Sequence, residues 1–308
     1  MNNFINIKDI SSKNLRKILI DAKRRKFKRK KLKTLESDLG QPLRGKLLIQ
    51  MFEKSSLRTR LSFYLAIRQL GGSALTLRPD ELHLSKGGES ISDTAKILST
   101  YGDIFMLRTD SEKKLVNFKK NLSIPLINGL SPLSHPAQIL SDIFTIEEIT
   151  KKNISKLNIC WIGDTNNVLN SLIEASIKFS FKLNIGCPKN YHLSKDILNQ
   201  IKKTKKTIKT FNNPQKAIKN ADVVLTDKVI SMNDKVNKKK KIKDFLQFKI
   251  TSKLMSLSKN AYLLHCLPRG NEVSDEVFYG NRSKVWQQAY NRIHVQKSIL
   301  LFCLGKLR

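Results

Sequence analysis

Residues 46–72 read KLLIQMFEKSSLRTRLSFYLAIRQLGG, and this stretch decides the fold class. Lys46 to Phe52 is a short, almost wholly apolar run, which is typical of a buried strand. After a polar loop, apolar residues at helical spacing from Arg58 to Leu70 predict an amphipathic helix that ends at Gly71-Gly72. Because a buried strand leads directly into a helix, we expect an α/β protein with parallel sheets.

The same alternation of apolar runs and helical patterns extends over the whole chain. It predicts two domains, each with a central parallel sheet flanked by helices, joined by long helices. The predicted strands are residues 73–77, 104–108, 125–128, 157–163, 182–186, 223–226 and 262–265. One predicted helix begins near Ser11, and the others cover residues 92–101, 135–150, 168–179 and 288–301.

A chain of 308 residues is long enough for two domains. We expect a first domain of residues 1–134, completed by a C-terminal helix of residues 288–308. Residues 135–150 form the predicted linking helix, and residues 151–287 form the second domain.

The net charge of +33 comes from 58 Lys and Arg residues against 25 Asp and Glu residues. Three runs carry much of it: Lys23 to Lys33, Lys202 to Lys209 and Lys235 to Lys243. Clustered cations favour nucleic-acid binding, but few aromatic residues interleave these runs for stacking on bases. We interpret the runs as solvated surfaces and do not expect nucleic acid as a partner.

The sequence favours a cytoplasmic protein. No apolar stretch approaches the roughly 18 residues of a membrane span, and the N-terminus lacks the pattern of a secretory signal. The cysteines Cys160, Cys187, Cys266 and Cys303 are far apart and show no metal-ligand spacing. We therefore expect reduced thiols and no bound metal.

The segment from Ser55 to Arg60 is suited to binding phosphate. A helix that begins near Arg58 offers unpaired N–H groups and partial positive charge. Ser56 and Thr59 add hydroxyl donors, and Arg58 and Arg60 add guanidinium groups. The alternative is an ordinary helix capped by serine, with exposed arginines.

This segment resembles the phosphate loop of the aspartate and ornithine carbamoyltransferases, with Leu57 where many members have Thr. Residues 89–95 and 128–138 are also similar to that family. His135 and Gln138 could polarise a carbonyl and orient its nitrogen, because neutral histidine donates well to developing negative charge. The resemblance implies a carbamoyl phosphate site made of Ser56, Leu57, Arg58, Thr59, His83, Arg108, His135, Gln138, Cys266 and Arg292.

The second half resembles the ornithine enzymes at residues 163–171, 226–232 and 265–269. This implies transfer of a carbamoyl group to ornithine, giving citrulline, with no cofactor and no covalent intermediate. The catalytic residues would be Arg58, Thr59, Arg108, His135, Cys266 and Arg292. The implied ornithine contacts are Asn167, Asp227, Ser231, Met232, Cys266 and Leu267.

Three residues depart from the family pattern: Val229 stands for Trp, Asn233 for Gly and Tyr290 for Glu. His83 matches a residue supplied by a neighbouring subunit, which implies a homotrimer with shared sites. The sequence does not determine the direction of the pathway, and we expect arginine biosynthesis rather than degradation. Two alternatives stay open: a carbamoyltransferase for putrescine or an N-acylated ornithine, and a basic nucleic-acid-binding protein on the same fold.

Overall fold

The computed structural model describes residues 2–78, 88–191, 193–202, 207–230 and 237–307. The chain divides into unit 1, residues 1–144 and 290–308, and unit 2, residues 145–289. Among the described residues, no helix combines the length and the apolar character that a membrane span requires.

Unit 1 is built on a parallel four-stranded sheet with the strand order β2-β1-β3-β4. The register places Phe52 opposite Arg108, so the carboxyl ends of β1 and β3 lie side by side. The elements of this part of the chain are α1 (Ser12–Lys28), β1 (Leu47–Phe52), α2 (Leu57–Gln69), β2 (Ser73–Leu77), α3 (Ile91–Tyr101), β3 (Ile104–Arg108), α4 (Glu112–Asn121), β4 (Leu126–Leu130) and α5 (Pro136–Thr150), in which the division from unit 2 falls.

Unit 2 has a parallel five-stranded sheet with the strand order β7-β6-β5-β8-β9. Thr226 pairs with His265, so β8 and β9 end together. Its elements are β5 (Asn158–Ile162), α6 (Asn167–Phe179), β6 (Lys182–Gly186), α7 (Lys195–Lys202), β7 (Ile208–Phe211), α8 (Pro214–Ile218), β8 (Val223–Thr226), α9 (Lys238–Phe245), α10 (Ser252–Met255), β9 (Tyr262–His265), α11 (Asp275–Phe278) and α12 (Val285–Cys303), whose end from Tyr290 belongs to unit 1.

The sequence-based prediction of two parallel α/β sheets is confirmed, and every predicted strand is present within one or two residues. Strand β7 was not predicted. It is an edge strand in which Ile208 alone is fully buried, so its sequence lacks the apolar run that marks the inner strands. Short or lysine-rich helices such as α9 were also missed, because few of their residues face the core.

The interpretation of the basic runs as solvated surfaces is wrong for two residues. Arg29 is buried at the end of α1, where it contacts Asp38 at 2.8 Å. Lys241 in α9 is also buried, and its ammonium group lies 2.6 Å from Asp164. Single cations in a lysine-rich segment can thus be structural, because a buried carboxylate compensates for their loss of hydration.

A buried ion-pair network ties the end of α12 to the rest of unit 1. Lys297 has no exposed side-chain surface, and its Nζ lies 3.0 and 3.1 Å from the two carboxylate oxygens of Asp38. Asp38 also forms an ion pair with Arg29, and the Ser298 hydroxyl donates a hydrogen bond to Asp21 at 2.8 Å. Burial lowers the pKa of Lys297 to about 8, although Asp38 acts in the opposite direction. The carboxylate of Asp38 therefore compensates for the burial of two cations.

We predict that Asp38→Ala strongly destabilises the protein, because it leaves Lys297 and Arg29 buried without their shared carboxylate. Removing one partner of a buried ion pair typically costs about 3–5 kcal/mol. The measurement is the free energy of unfolding from urea titration followed by circular dichroism.

The matched control is Asp93→Ala, which removes an exposed carboxylate paired with Lys96 on α3. It should cause a much smaller loss, because water screens exposed pairs. Equal losses for the two variants would contradict the importance of the buried network.

Candidate active site

The predicted phosphate segment lies where β1 leads into α2. Helix α2 begins at Leu57, and Ser56 is its N-cap residue. The Ser56 side chain makes no capping hydrogen bond, whereas Ser11 and Ser111 cap their own helices through their side chains. The alternative of an ordinary serine-capped helix is therefore not what the structure shows, and the helix start has a geometry suited to an anion.

Thr59 is the centre of a buried polar cluster in unit 1. Its hydroxyl oxygen lies 2.9 Å from Nη2 of Arg292 and 3.5 Å from Nη1 of Arg108. The second terminal nitrogen of Arg292 donates to Oε1 of Gln138 at 2.8 Å. Thr59, Gln138 and Arg292 are each at most 3% exposed. Four predicted site residues from α2, β3, α5 and α12 thus meet in one place.

His135 is buried beside this cluster, immediately before α5. Burial lowers its pKa well below the ordinary value of 6.5, and the positive charges of Arg292, Arg108 and Arg58 lower it further. The imidazole is therefore neutral at physiological pH. It is surrounded by three guanidinium groups, which together form a strongly electropositive environment.

Asp142 is a residue of this cluster that the sequence analysis missed. It is buried, and its carboxylate accepts a hydrogen bond from Nε2 of Gln138 at 2.8 Å. This bond fixes the Gln138 amide with its oxygen toward Arg292. The available signal was the spacing of four residues, which places both side chains on one face of α5.

In unit 2, Asp227 and Cys266 directly follow the paired strands β8 and β9. The Cys266 sulfur lies 2.8 Å from Oδ1 of Asp227, and Nδ2 of Asn166 donates to Oδ2 of the same carboxylate at 2.9 Å. A thiolate at that distance would repel the carboxylate, so the contact is that of a thiol donor. Asp227 is thereby held in a defined orientation.

Asn166 is a second residue that the sequence analysis did not select. Its Oδ1 accepts the backbone N–H groups of Val168 and Leu169, so it caps α6 while its amide nitrogen binds Asp227. The predicted contact residue Asn167 is the first residue of α6 and is half-buried. The turn before α6 is therefore linked directly to the carboxylate.

The remaining predicted residues are placed as follows. Leu267 is half-buried against the core of unit 2, with a backbone φ of +58°. Val229, where the family has Trp, is buried in the same core. Tyr290 is 54% exposed, with the Lys26 ammonium group 5.7 Å from its ring centre. The others, His83, Ser231, Met232 and Asn233, lie outside the described residues.

Asp227, His265 and Cys266 offer possible metal-ligand atoms within 4.8 Å of one another. However, both ring nitrogens of His265 are engaged: Nδ1 accepts the Leu267 N–H at 2.8 Å, and Nε2 lies 2.8 Å from Glu272. The imidazole therefore has no lone pair available for a cation, and the trio is not a suitable metal site.

Comparisons with known proteins identify relatives for both parts of the chain. Residues 2–148 match the carbamoyl-phosphate-binding domain of the aspartate/ornithine carbamoyltransferases, and residues 155–303 match their aspartate/ornithine-binding domain. The ornithine carbamoyltransferase of Rhizorhabdus wittichii is 39% identical over 307 residues, which is 99% of this chain and 98% of the relative. That of Rhodopseudomonas palustris is 41% identical over 306 residues, covering 98% and 96% of the two chains.

Solved structures show the same likeness over the whole chain. The ornithine carbamoyltransferase of Pyrococcus furiosus superposes with a TM-score of 0.91 at 35% identity, covering 99% of this chain and 97% of its own. The anabolic ornithine carbamoyltransferase of Campylobacter jejuni gives a TM-score of 0.87 at 37% identity, with complete coverage of both chains. The resemblance seen in the sequence motifs is confirmed: this chain belongs to the aspartate/ornithine carbamoyltransferase family.

Proposed function

We propose that this protein is an ornithine carbamoyltransferase, which converts carbamoyl phosphate and L-ornithine into L-citrulline and phosphate. The observation that carries this function is the cluster around Thr59, in which Arg108, Arg292 and a neutral His135 converge. Such a cluster suits a substrate that combines a phosphate dianion with a carbonyl group, because cations bind the first and hydrogen-bond donors polarise the second.

The phosphate end of carbamoyl phosphate is assigned to the start of α2. Ser56, Leu57, Arg58 and Thr59 would contribute backbone N–H groups, hydroxyls and one guanidinium group, with Arg108 at the neighbouring strand end. The partial charge of the helix N-terminus adds to the attraction. These phosphate contacts come from one short segment, Ser56 to Thr59, and from Arg108 at the end of β3, which pairs with β1.

The carbonyl end is assigned to His135, Thr59 and Arg292, with Gln138 orienting the carbamoyl nitrogen. Neutral His135 can donate one N–H to the carbonyl oxygen as negative charge develops there. Arg292 is fixed by Thr59 and Gln138 at 2.9 and 2.8 Å, so little reorganisation is needed when the oxyanion forms.

Ornithine is assigned to residues of unit 2. The carboxylate of Asp227 suits the cationic α-ammonium group, and Cys266 and Leu267 follow β9 beside it. Asn167, Ser231 and Met232 complete the proposed contacts, and Cys266 is also proposed to contact carbamoyl phosphate. His83 is assigned to the carbamoyl phosphate of a neighbouring subunit.

The proposed reaction is a direct attack of the neutral side-chain amine on the carbonyl carbon. A new C–N bond forms, the C–O bond to phosphate breaks, and the amine loses one proton. A free alkylamine has a pKa near 10.4, so it must be deprotonated before it attacks. Desolvation in the site favours the neutral amine. The chemistry needs no covalent enzyme intermediate, and we assign it neither a metal nor an organic cofactor.

We further propose a cytoplasmic homotrimer that acts in arginine biosynthesis. The support for assembly is an exposed apolar stripe on α2, formed by Leu57, Leu61 and Tyr64 at helical spacing. Helix α2 packs beside the edge strand β2, where Leu75 is also exposed. Exposed apolar side chains next to a free sheet edge favour burial by a second subunit.

We predict that ornithine is the preferred acceptor. With carbamoyl phosphate as donor, we expect ornithine to exceed N-acetylornithine, putrescine and aspartate in kcat/KM by at least about a hundredfold, because buried polar contacts reject analogues that leave them unpaired. The measurement is a colorimetric assay of carbamoylated product.

A second measurement, salt-dependent retention on a polyanion column, tests the nucleic-acid alternative. Tight binding of duplex nucleic acid at physiological salt without turnover would support the nucleic-acid alternative. Preference for putrescine or N-acetylornithine would leave the phosphate site intact and reject the acceptor assignment.

We predict that His135 stays neutral at and somewhat below physiological pH. Because its pKa lies well below 6.5, its ring resonances should keep their neutral-form shifts between pH 7.5 and 6 in the free protein. The unfolded chain binds a proton in that range and the folded chain does not, so this group makes the protein less stable as the pH falls below 6.5.

Nuclear magnetic resonance of the ¹³C-labelled histidines would measure this titration, with His135→Gln used for assignment. The protein unfolded in urea is the control and should titrate near pH 6.5. A midpoint near 6.5 in the folded protein would argue against a neutral imidazole as the donor.

We predict that the chain assembles as a trimer in solution. Light scattering should give about three times the chain mass of 35.3 kDa, and Leu61→Asp should reduce that mass because it places a carboxylate in the apolar stripe. The control is Leu246→Asp, the same substitution at an exposed leucine of unit 2. A trimer that survives Leu61→Asp but not Leu246→Asp would place the interface elsewhere.

A further inference from the structure

Glu272 and His265 form a buried pair in unit 2 that the proposed mechanism does not use. His265 ends β9, and its side chain has no exposed surface. Glu272 is 7% exposed, and its Oε1 lies 2.8 Å from Nε2 of His265. The same oxygen accepts the Gly270 N–H at 2.6 Å. Neither residue was selected as a site residue from the sequence.

The hydrogen bonds determine which ring nitrogen of His265 carries the proton. The Leu267 N–H donates to Nδ1 at 2.8 Å, so Nδ1 must hold a lone pair. The ring proton is therefore on Nε2, where it is donated to Glu272. If the proton were on Nδ1, it would face the Leu267 N–H, and two donors would be in contact.

Glu272 is suited to hold this tautomer. Burial raises its pKa, but hydrogen bonds from His265 and from the Gly270 N–H outweigh burial, so the net shift is downward. The group is thus a carboxylate that can only accept hydrogen bonds. Its backbone is also fixed, since its carbonyl oxygen accepts the Ile250 N–H at 2.8 Å.

The rest of His265 is held as well. Its backbone N–H donates to Oε1 of the buried Gln288 at 2.8 Å. The Phe278 ring packs against the imidazole in an edge-on contact, with 6.3 Å between ring centres. The ring has one orientation in this setting, and the Leu267 N–H is held by a rigid acceptor.

These contacts position the turn that carries Cys266. Leu267 adopts a left-handed φ of +58°, which costs a non-glycine residue free energy and needs support from its surroundings. The hydrogen bond to His265 supplies that support. Cys266 lies between the two residues, and its thiol points at Asp227 over 2.8 Å.

We propose that Glu272 is a positioning residue for the amino-acid end of the active site. It holds His265 as the Nε2–H tautomer, His265 holds the Leu267 N–H, and this fixes the Cys266 thiol against Asp227. The proposal rests on the proposed function, in which Cys266, Leu267 and Asp227 contact ornithine.

The central variants are Glu272→Ala, which removes the acceptor, and Glu272→Gln, which keeps an oxygen acceptor without the charge. Outer-shell residues that orient a metal-binding histidine typically contribute about tenfold to a hundredfold, and we expect Glu272→Ala to raise the KM for ornithine by a comparable factor. Glu272→Gln should stay within about threefold. The dissociation constant of carbamoyl phosphate alone should change less than about twofold in both, because its phosphate contacts are in unit 1.

Gly270→Ala perturbs the same contact without replacing either partner. A Cβ at residue 270 would lie 2.7 Å from Oε2 of Glu272, so the carboxylate must shift from the position in which it accepts from His265. This variant should raise the KM for ornithine in the same direction as Glu272→Ala. It also keeps the test decisive if Glu272→Ala does not fold. The matched control is Glu276→Ala, which removes an exposed carboxylate of the same segment and should leave both constants unchanged.

Two measurements do not depend on turnover. Nitrogen-15 resonances of His265 should show the Nε2–H tautomer in the wild type and a shift toward Nδ1–H in Glu272→Ala. The alkylation rate of Cys266 in the native protein should rise at least severalfold in Glu272→Ala, because the thiol loses its fixed partner.

The proposal is overturned if the wild type shows the Nδ1–H tautomer, if Glu272→Ala keeps the wild-type KM for ornithine, or if Glu272→Gln is as impaired as Glu272→Ala. Equal losses for ornithine and carbamoyl phosphate would indicate a merely structural role and would also overturn it. If the wild type does not carbamoylate ornithine, the proposed function fails. The tautomer and the alkylation rate then still decide whether Glu272 positions this turn.

Discussion

Parallel strand pairing is the constraint on which both groups of site residues depend. In unit 1, pairing of β1 with β3 sets Phe52 opposite Arg108, so the start of α2 and the Arg108 side chain lie at one edge of the sheet. In unit 2, pairing of β8 with β9 sets Thr226 opposite His265 and brings Asp227 to Cys266. Side chains at the carboxyl ends of neighbouring parallel strands can converge because these strands end at the same edge of the sheet.

Charge is distributed differently in the two groups. Around Thr59, three arginines meet a neutral histidine, and this environment attracts an anion before any substrate is bound. Around Asp227, one carboxylate is held by a thiol and an amide, which suits a cationic amino group. The two substrates of the proposed reaction carry the corresponding opposite charges, so each group would bind one of them.

Each group depends on buried residues behind it. Arg292 is carried by α12, and Lys297 on the same helix is fixed by the Asp38 carboxylate. Cys266 is carried by a turn that His265 and Glu272 support. In both places a buried carboxylate helps to determine where a helix or a turn lies, because a carboxylate without hydrogen-bond or ion-pair partners would be costly in the interior. Such residues contribute to the site without needing to contact a substrate.

The sequence by itself predicted most of the strands and helices, a phosphate-binding segment at Ser56 to Thr59, and most residues of the two groups that the structure brings together. These follow from local patterns, because apolar spacing and helix starts are encoded within about 15 residues. The edge strand β7 and the lysine-rich helix α9 were not predicted, because they contain few apolar residues. Only the tertiary structure decided that Arg292 bonds Thr59, 233 positions away in the chain, and that Glu272 fixes the ring of His265. These contacts depend on strand order and on which side chains are buried together, and neither is written in any single stretch of sequence.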